Sequence, residues 1–262
     1  NNLSTGAVSG ATLVQKAPQG VPGIQQAAGP DTVGVFSDIN IRKAFAHGIQ
    51  AENMVTALGQ GMYQPASSIL GPDNWAYLDV GAYEYDPELA AQCLAEAGYS
   101  VDNPLTVTVV AESTAFYTQL FEAMQGDLAQ IGINLDLSGM GDFATILPTL
   151  LSGQQEVSIG GPSNGAGNDP ASLLQQMGPL SDNNLMRAQD DTLADLFNRG
   201  SSERDQAART EIYHEYQQYM HDNYYYIPLY QDTKNYGVAE AHTSFTNALD
   251  SSNQLDPTLL TD

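Results

Sequence analysis

A strand, a helix and a second strand follow one another in residues 105–137, LTVTVVAESTAFYTQLFEAMQGDLAQIGINLDL. The segments LTVTVV and INLDL alternate with the period of two that is typical of strands. Between them, apolar side chains recur at helical spacing: Phe116, Leu120, Met124, Leu128 and Ile131. A strand–helix–strand unit of this kind joins parallel strands through a right-handed crossover. The segment therefore predicts a parallel α/β sheet.

The next segments continue the pattern. DFATILPTLLSG (142–153) predicts a helix and EVSIGG (156–161) predicts a further strand of the same sheet. Pro148 conflicts with the helix, because proline removes one backbone hydrogen bond, and it predicts a kink or a restriction to short turns. The predicted fold class is α/β, with a mixed, mostly parallel sheet flanked by helices.

Helical patterns also precede this unit. NIRKAFAHGIQAENMVTAL (40–58) places apolar residues along one helical face. YDPELAAQCLAEAGY (85–99) predicts a helix that Asp86 caps, that Pro87 opens and that Gly98 stops. Cys93 is predicted to be a small buried hydrophobe of this helix. ATLV (11–14) and TVGVF (32–36) are strand-like, and residues 59–83 predict a long ordered loop.

Seven of the 14 tyrosines lie between Tyr213 and Tyr230. Tyr213, Tyr216 and Tyr219 are spaced as a helical face, whereas YYYIPLY (224–230) is a strand by composition. A helix face and an alternating strand do not form one continuous platform for stacking a sugar or a nucleic acid. The cluster is therefore interpreted mainly as core packing.

The charge of the chain excludes some classes of partner. The net charge is −23, and the lysines are Lys16, Lys43 and Lys234 alone. Nucleic acids and anionic membranes require clustered basic residues, so neither is expected as a partner. The single cysteine excludes an internal disulfide, and no apolar run approaches the roughly 18 residues that would span a bilayer.

No assembled catalytic or metal-binding motif is found. His214 and His221 lie seven residues apart, whereas zinc helices usually use a spacing of four. Neither a Gly-x-Ser-x-Gly elbow nor a phosphate loop is present, and the carboxylates are scattered. Catalytic residues, metals and cofactors are therefore not predicted.

The loop GGPSNGAGNDPASLL (160–174) follows the strand EVSI, at the end where open α/β sheets bind ligands. Its glycines allow close backbone approach, and Ser163, Asn164 and Asn168 offer uncharged hydrogen-bonding groups. A ligand-binding loop and a plain flexible connector both remain open on these grounds.

Five segments occur in an order that resembles the extracellular solute-binding proteins of family 5, the receptors of peptide and nickel ABC importers. They are DINIRKAFAHGIQAENMV, YDPELAAQCLAEAGY, LTVTVV with FEAMQGDLAQIGINLDL, SGQQEVSIGG with NDPASLL, and YYYIPLYQDTKNYGV. The similarity extends over residues 33–240. It implies the C-terminal lobe of a two-lobed clamshell of the periplasmic-binding-protein type II class.

The resemblance also implies a division of the chain. Residues 1–32 would cross the hinge, residues 33–235 would form the C-terminal α/β lobe, and residues 236–262 would return toward an N-terminal lobe that is missing here. The parent protein would be extracytoplasmic, either periplasmic or a cell-surface lipoprotein. Its partners would be a peptide or small-molecule ligand, the membrane permease of the importer and the missing lobe.

Several positions match ligand-binding positions of the family. Phe143 stands where a tryptophan is common, and the backbone from Gly160 to Gly165, with Gly161, Ser163 and Asn164, would meet the ligand's main chain. Gly165 itself replaces an aspartate that pairs with a peptide's amino terminus, and Leu150 and Ile159 stand where arginines can occur. The remaining contacts are expected from position: Trp75, Phe116, Tyr117 and Tyr230.

The leading hypothesis is a non-enzymatic receptor that captures oligopeptides by clamshell closure. An oligosaccharide or another neutral solute on the same fold is the alternative, because the charged anchors for free peptide termini are absent from the matched positions. A glycoside-active enzyme that uses scattered carboxylates is a third, less favoured hypothesis.

Overall fold

The computed structural model describes residues 11–16, 23–26, 34–152, 155–160, 169–174, 190–232 and 234–239. The strands in these ranges are β1 (Ala11–Lys16), β2 (Gly23–Gln26), β3 (Tyr63–Pro65), β4 (Leu105–Val110), β5 (Ile133–Asp136), β6 (Val157–Gly160), β7 (Tyr226–Pro228), β8 (Tyr230–Asp232) and β9 (Lys234–Ala239). The α-helices are α1 (Ile39–His47), α2 (Ala51–Gly59), α3 (Pro87–Glu96), α4 (Ala115–Ala129), α5 (Phe143–Ser152), α6 (Pro170–Leu174), α7 (Asp191–Ser202) and α8 (Gln206–Asp222).

The main sheet has five strands in the order β5-β4-β6-β2-β7. β4 is parallel to β5 and to β6, whereas β2 is antiparallel to β6 and to β7. β4, β5, β6 and β7 therefore point the same way, and β2 alone runs against them. Two antiparallel ribbons, β1 with β9 and β3 with β8, accompany the sheet. The predicted fold class, a mixed and mostly parallel α/β sheet with flanking helices, is confirmed.

The βαβ unit forms as its sequence pattern predicts. Alternate residues of β4, Leu105, Val107 and Val109, are buried. The helix α4 buries Leu120, Phe121, Met124 and Leu128, and each of these side chains is 0% exposed. Apolar burial on this scale, at roughly 25 cal/mol per Å², supplies the driving force that holds the helix on the sheet.

The helix α3 has the predicted ends. The Asp86 carboxylate accepts a hydrogen bond from the backbone N–H of Leu89, Pro87 occupies the first turn, and Gly98 adopts a φ of +91°. Cys93 is buried, as predicted, and burial raises the pKa of its thiol. Burial disfavours the thiolate, so this cysteine is a packing residue.

The structure divides the predicted helix over residues 40–58 into α1 and α2. The break lies at Gly48–Gln50. A Cβ atom on Gly48 would lie 2.8 Å from a methyl group of Ile131 and 2.9 Å from a methyl group of Leu128. Only glycine fits at this break against α4 and the turn that follows it.

Two other predictions are wrong, and one is narrowed. TVGVF does not form a strand in its described part, because Val35–Ser37 is a 3-10 turn. Tyr224 is not a strand residue: its φ of 56° is left-handed, and its backbone N–H bonds to His221 O at the end of α8. Of the two alternatives predicted for Pro148, the restriction to short turns is excluded, since α5 is continuous for 10 residues with Pro148 inside it, and a kink stays a prediction.

The tyrosines of the 213–230 segment are mainly core residues, as predicted. Five of the seven are at most 5% exposed: Tyr213, Tyr216, Tyr225, Tyr226 and Tyr230. Burial raises the pKa of Tyr226, because the phenolate would lose its hydration, and the nearby Tyr117 phenol acts in the same direction.

The long loop between β3 and α3 is ordered by contacts with α8. The buried Gln217 side chain accepts from Ser68 Oγ at 2.8 Å and donates to Ala76 O at 2.7 Å. The Tyr83 hydroxyl donates to His221 O at 2.8 Å, and its ring stacks on the His221 imidazole with centroids 4.5 Å apart. The prediction of an ordered loop is confirmed.

Candidate ligand-binding site

One edge of the main sheet collects the segments that leave its parallel strands. Because β4, β5, β6 and β7 point the same way, Gly160 at the end of β6 and residues 111–114, 137–142 and 229–230 lie at the same edge. Open α/β sheets bind ligands at the carboxyl ends of their strands. This carboxyl edge is therefore the candidate site.

Two of these segments are joined by backbone hydrogen bonds. Gly141 N donates to Ala111 O at 3.1 Å, and Ser113 N donates to Gly141 O at 2.9 Å. The same contact forms an isolated parallel bridge between Glu112 and Gly141. The starts of α4 and α5 are thereby held side by side at the carboxyl edge.

Four aromatic side chains pack together at this edge and are called the aromatic cluster: Tyr63, Phe116, Tyr117 and Tyr230. The Tyr63 ring centroid lies 4.5 Å from that of Phe116 and 4.5 Å from that of Tyr230. Phe116 meets Tyr230 edge to face at 5.3 Å, a preferred aromatic geometry. The hydroxyl groups of Tyr117 and Tyr230 lie 3.0 Å apart.

Local structure brings the aromatic cluster together from three parts of the chain. Thr114 caps α4 by accepting from the backbone N–H of Tyr117 at 3.1 Å, which places Tyr117 in the first helical turn. The β3–β8 ribbon pairs Pro65 with Tyr230 and so brings Tyr63 to the same place. Tyr230 is 5% exposed, whereas Tyr63, Phe116 and Tyr117 are partly exposed.

Phe143 begins α5 at the same edge and is 54% exposed. The Asp142 carboxylate before it accepts from Thr145 N at 3.0 Å and from Thr145 Oγ1 at 2.9 Å. These bonds favour the carboxylate form and lower the pKa of Asp142. A large aromatic side chain on a fixed helix start can cover an apolar part of a ligand.

The structure brings some of the predicted ligand-binding residues together and separates Trp75. Tyr117 and Tyr230 touch each other, and Phe143 lies at the same edge of the sheet. Trp75 instead packs edge to face on Tyr213 at 6.1 Å, with the Arg209 guanidinium 5.5 Å from its ring. Trp75 therefore contacts the side of α8.

The predicted ligand-binding loop is only partly described. Gly160 ends β6 and pairs with Gly23 of β2, which in turn pairs with Pro228. Gly161, Ser163, Asn164 and Gly165 lie outside the described residues. Their contact with a ligand stays a prediction.

Sequence reasoning missed two residues of this edge. Tyr63 belongs to a three-residue strand in a turn-rich segment, so no periodic pattern marks it. Glu112 directly follows the β4 strand pattern, and this position is its only signal in the sequence.

The described part of the chain holds no group of three or more His, Cys, Asp or Glu side chains that could bind a metal ion. Among the same residues, no helix is long and apolar enough to cross a membrane.

Known proteins are similar to this chain in sequence and in fold. A Brucella ovis protein, named as an ABC transporter peptide-binding protein, is 34% identical over 106 residues, which are 39% of this chain and 20% of that protein. Heme-binding protein A of Haemophilus influenzae is 25% identical over 201 residues, 74% of this chain and 36% of that protein. The structure of DppA from Helicobacter pylori, in complex with the peptide STSA, matches with a TM-score of 0.74 at 20% identity.

The chain spans only part of the length of the proteins that it matches. The match to DppA covers 95% of this chain and 48% of that structure, so the chain spans about half the length of this two-lobed binding protein. The match to heme-binding protein A covers 36% of its length. The fold described above is thus similar to about half of the DppA structure.

The sequence pattern of one family matches residues 14–184, which are more than half of the chain, and includes β4, α4, β5, α5 and β6. The members of this family are solute-binding components of transport systems and act outside the cytoplasm. The chain belongs to the bacterial extracellular solute-binding proteins, family 5, and matches the middle part of that family.

Proposed function

We propose that this chain is the C-terminal lobe of a receptor that captures oligopeptides for import by an ABC transporter. The observation that carries the proposal is the aromatic surface at the carboxyl edge of the sheet, where Phe143 is exposed and three rings of the aromatic cluster are partly exposed. Peptide side chains are received by apolar and aromatic walls, and peptide main chain is held by backbone groups. The Brucella ovis relative and the Helicobacter pylori DppA structure support peptides as the ligand class.

The mechanism follows from the place of the site. The β1–β9 ribbon joins the segments that lead into and out of the lobe, and β8, which carries Tyr230 of the aromatic cluster, comes shortly before β9 in the chain. A ligand bound at the carboxyl edge would contact the second lobe across the hinge and stabilise the closed form. The closed receptor would then present the ligand to the membrane permease. No covalent chemistry is required, so the receptor is not an enzyme.

The cellular setting follows from the same role. A receptor for an importer works outside the cytoplasm, as a periplasmic protein or as a cell-surface lipoprotein. The net charge of −23 favours a highly soluble protein.

Native mass spectrometry of the complete two-lobed receptor, purified without denaturation, tests the ligand class. Masses that resolve into short peptides support the proposal. Masses separated by a hexose unit favour the alternative of a neutral oligosaccharide, and turnover of a glycoside would favour the enzyme hypothesis. Either of the last two results contradicts capture of peptides.

Two exposed residues of α5 supply a matched pair of variants for the site itself. Phe143 is 54% exposed and Leu151 is 53% exposed, but they lie eight residues, roughly 12 Å, apart along the helix. We expect Phe143→Ala to weaken retention of the co-purified ligand about tenfold or more, because an aromatic contact is lost. Leu151→Ala removes a similar exposed side chain and is expected to retain the ligand. Equal loss in both variants would place the ligand elsewhere.

A further inference from the structure

Asp169 marks the end of the predicted ligand-binding loop. The chain leaves the carboxyl edge at Gly160, which is held in the sheet by its pairing with Gly23, and Asp169 is the next residue that the structure describes. The Asp169 carboxylate accepts a hydrogen bond from the backbone N–H of Ala171 at 2.9 Å and so caps the start of α6. The position of Asp169 therefore determines where the chain returns from the loop to the lobe.

The start of α6 is tied to α8 by Arg209. The Arg209 guanidinium donates to the Asp169 carboxylate at 2.8 Å, in a charge-assisted hydrogen bond. The Arg209 side chain is only 19% exposed, so solvent ions screen this pair less than they screen a fully exposed pair. The helix α6 has five residues, which are too few for a helix that is stable on its own. Its start therefore depends on contacts with other elements, and the Arg209–Asp169 pair is one of them.

Other contacts hold the Arg209 guanidinium in place. Its Nε donates to Gly200 O near the end of α7 at 2.7 Å, and its Nη2 donates to the Tyr213 hydroxyl at 3.2 Å. The guanidinium carbon also lies 5.5 Å from the centroid of the Trp75 ring and 5.4 Å from that of Tyr213, within the range of cation–π attraction. Because α7, α8 and the long loop all contact this side chain, it is ordered before it meets Asp169.

We propose that Arg209 is a positioning residue for ligand binding, which acts through Asp169 by fixing the returning end of the ligand-binding loop. This inference rests on the proposed function and assigns part of the ligand affinity to a side chain that does not contact the ligand. A loop that is fixed at both ends loses less conformational freedom when a ligand orders it, so the ordering costs less free energy. Trp75 then has a role as well, because its ring supports the guanidinium instead of the ligand.

Two arginine-to-lysine variants form a matched pair that keeps the net charge. A lysine has a single ammonium group and cannot reproduce the fork of a guanidinium, so Arg209→Lys loses the simultaneous bonds to Asp169 and Gly200. Arg199→Lys is the control on the neighbouring helix α7. The Arg199 side chain is 49% exposed, and its carboxylate partners lie 3.5 Å and 3.6 Å away, so its pairs are expected to contribute little.

A third variant, Asp169→Asn, weakens the same pair from the other side. The asparagine oxygen can still accept from Ala171 N, and the bonds of Arg209 to Gly200 and Tyr213 are unchanged, so this variant decides the question even if Arg209→Lys does not fold. The complete two-lobed receptor is freed of co-purified ligand and titrated with a pool of tripeptides of Ala, Gly and Phe. Affinity is measured at a temperature at which thermal unfolding shows each variant to be folded, and amide hydrogen exchange of residues 171–174 is measured without peptide.

We expect Arg209→Lys and Asp169→Asn each to lower the tripeptide affinity about threefold to tenfold, the size of effect expected when a group must be ordered on binding. The double variant should lose no more than the larger of the two single losses, because both changes break one pair. Amide exchange of residues 171–174 should be faster in both variants. Arg199→Lys should match the wild type in affinity and in exchange.

The outcomes separate the inference from the proposed function. If exchange of residues 171–174 becomes faster while the tripeptide affinity stays at the wild-type value, Arg209 stabilises α6 alone, and the inference is wrong while capture of peptides stands. An equal loss of affinity in Arg199→Lys also contradicts the inference, because the effect is then not specific to the Arg209–Asp169 pair. If the wild type binds none of the tripeptides, the proposed function fails and the inference fails with it.

Discussion

The hydroxyl groups of Tyr117 and Tyr230 are 3.0 Å apart, although 113 residues separate them in the sequence. The contact ties the first turn of α4 to β8, and β8 continues toward the β1–β9 ribbon. It therefore links the candidate ligand edge to the segments that would form the hinge. Tyr117 is partly exposed and Tyr230 is buried, so the pair lies at the boundary between site and core.

We predict that these two hydroxyl groups are energetically coupled. Tyr117→Phe and Tyr230→Phe should each lower the free energy of unfolding, and the double variant should lose less than the sum of both. A coupling of about 0.5–1.5 kcal/mol is expected for one hydrogen bond, measured by urea unfolding in a double-mutant cycle. Additive losses would show that the hydroxyl groups do not stabilise each other.

A second prediction concerns Arg42, which is 4% exposed. Its guanidinium donates to Asn223 O at 2.8 Å, to Phe36 O at 2.7 Å and to Ser37 O at 3.1 Å. Burial lowers the pKa of this arginine, and the charged guanidinium is kept by the three carbonyls and the Tyr225 ring 5.0 Å away.

Arg42→Met should cost at least about 3 kcal/mol of unfolding free energy, because it leaves buried carbonyls without donors. Lys43→Met is the control, since it removes the same charge from the next residue, which is half-buried and lies 5.8 Å from the Tyr224 ring centroid. We expect it to cost less than about 1 kcal/mol in the same chemical unfolding experiment. Similar losses of unfolding free energy in both variants would mean that the removed positive charge, rather than the carbonyl contacts of Arg42, determines the loss.

Much of the fold could be predicted from the sequence, because strong periodic patterns dictate local structure. The alternation of β4 and the apolar stripe of α4 identify a parallel α/β sheet, and Asp86, Pro87 and Gly98 mark the ends of α3. The strand β2 could not be predicted: GIQQ has a single apolar residue, Ile24, and its partners β6 and β7 come more than 130 residues later.

The site was less predictable, because it depends on contacts between distant segments. Tyr63 meets Phe116 and Tyr230 through a three-residue ribbon that carries no pattern of its own. Trp75, the single tryptophan, is predicted to contact the ligand, yet it packs on Tyr213. Aromatic residues of a loop look alike in a sequence, and only the tertiary contacts separate a packing residue from an edge residue.

A third prediction compares two glycines with left-handed backbone. Gly98 has a φ of +91° and Gly132 a φ of +100°. A Cβ atom on Gly98 would meet nothing within 4 Å, whereas one on Gly132 would lie 2.5 Å from Ser100 O and 2.6 Å from Val101 N. The left-handed backbone disfavours alanine at both positions, but only at Gly132 would the Cβ atom also clash with the backbone of another segment.

Gly98→Ala is therefore expected to cost about 1–2 kcal/mol, the penalty of a left-handed alanine. Gly132→Ala should cost more than about 3 kcal/mol, because the connection into β5 must shift away from residues 100–101. Thermal and urea unfolding of the two variants measure the difference. A smaller loss in Gly132→Ala than in Gly98→Ala would contradict the close approach of these two loops.

A fourth prediction uses two buried tyrosines of α8 that are both 0% exposed. The Tyr213 hydroxyl accepts a hydrogen bond from Arg209 at 3.2 Å. The Tyr216 hydroxyl has no hydrogen-bond partner among the described residues, and burial raises the pKa of its phenol. At neutral pH, Tyr216→Phe should raise the free energy of unfolding by about 1 kcal/mol, because a buried unsatisfied group is removed. Tyr213→Phe should lower it by a similar amount, because a bond to a charged group is lost.

The raised pKa of the Tyr216 phenol also leads to a prediction for alkaline pH. The unfolded chain releases its tyrosine protons near pH 10, while burial keeps the pKa of Tyr216 and Tyr226 higher in the folded protein. The contribution of these two phenols to the free energy of unfolding is thus fully present below about pH 10. It is lost as the pH rises toward the folded pKa, by about 1.4 kcal/mol per pH unit for each such proton. Urea unfolding at several pH values above 10 should give a slope that is shallower in Tyr216→Phe by about one proton. An unchanged slope would mean that Tyr216 ionises as readily in the folded protein as in the unfolded chain.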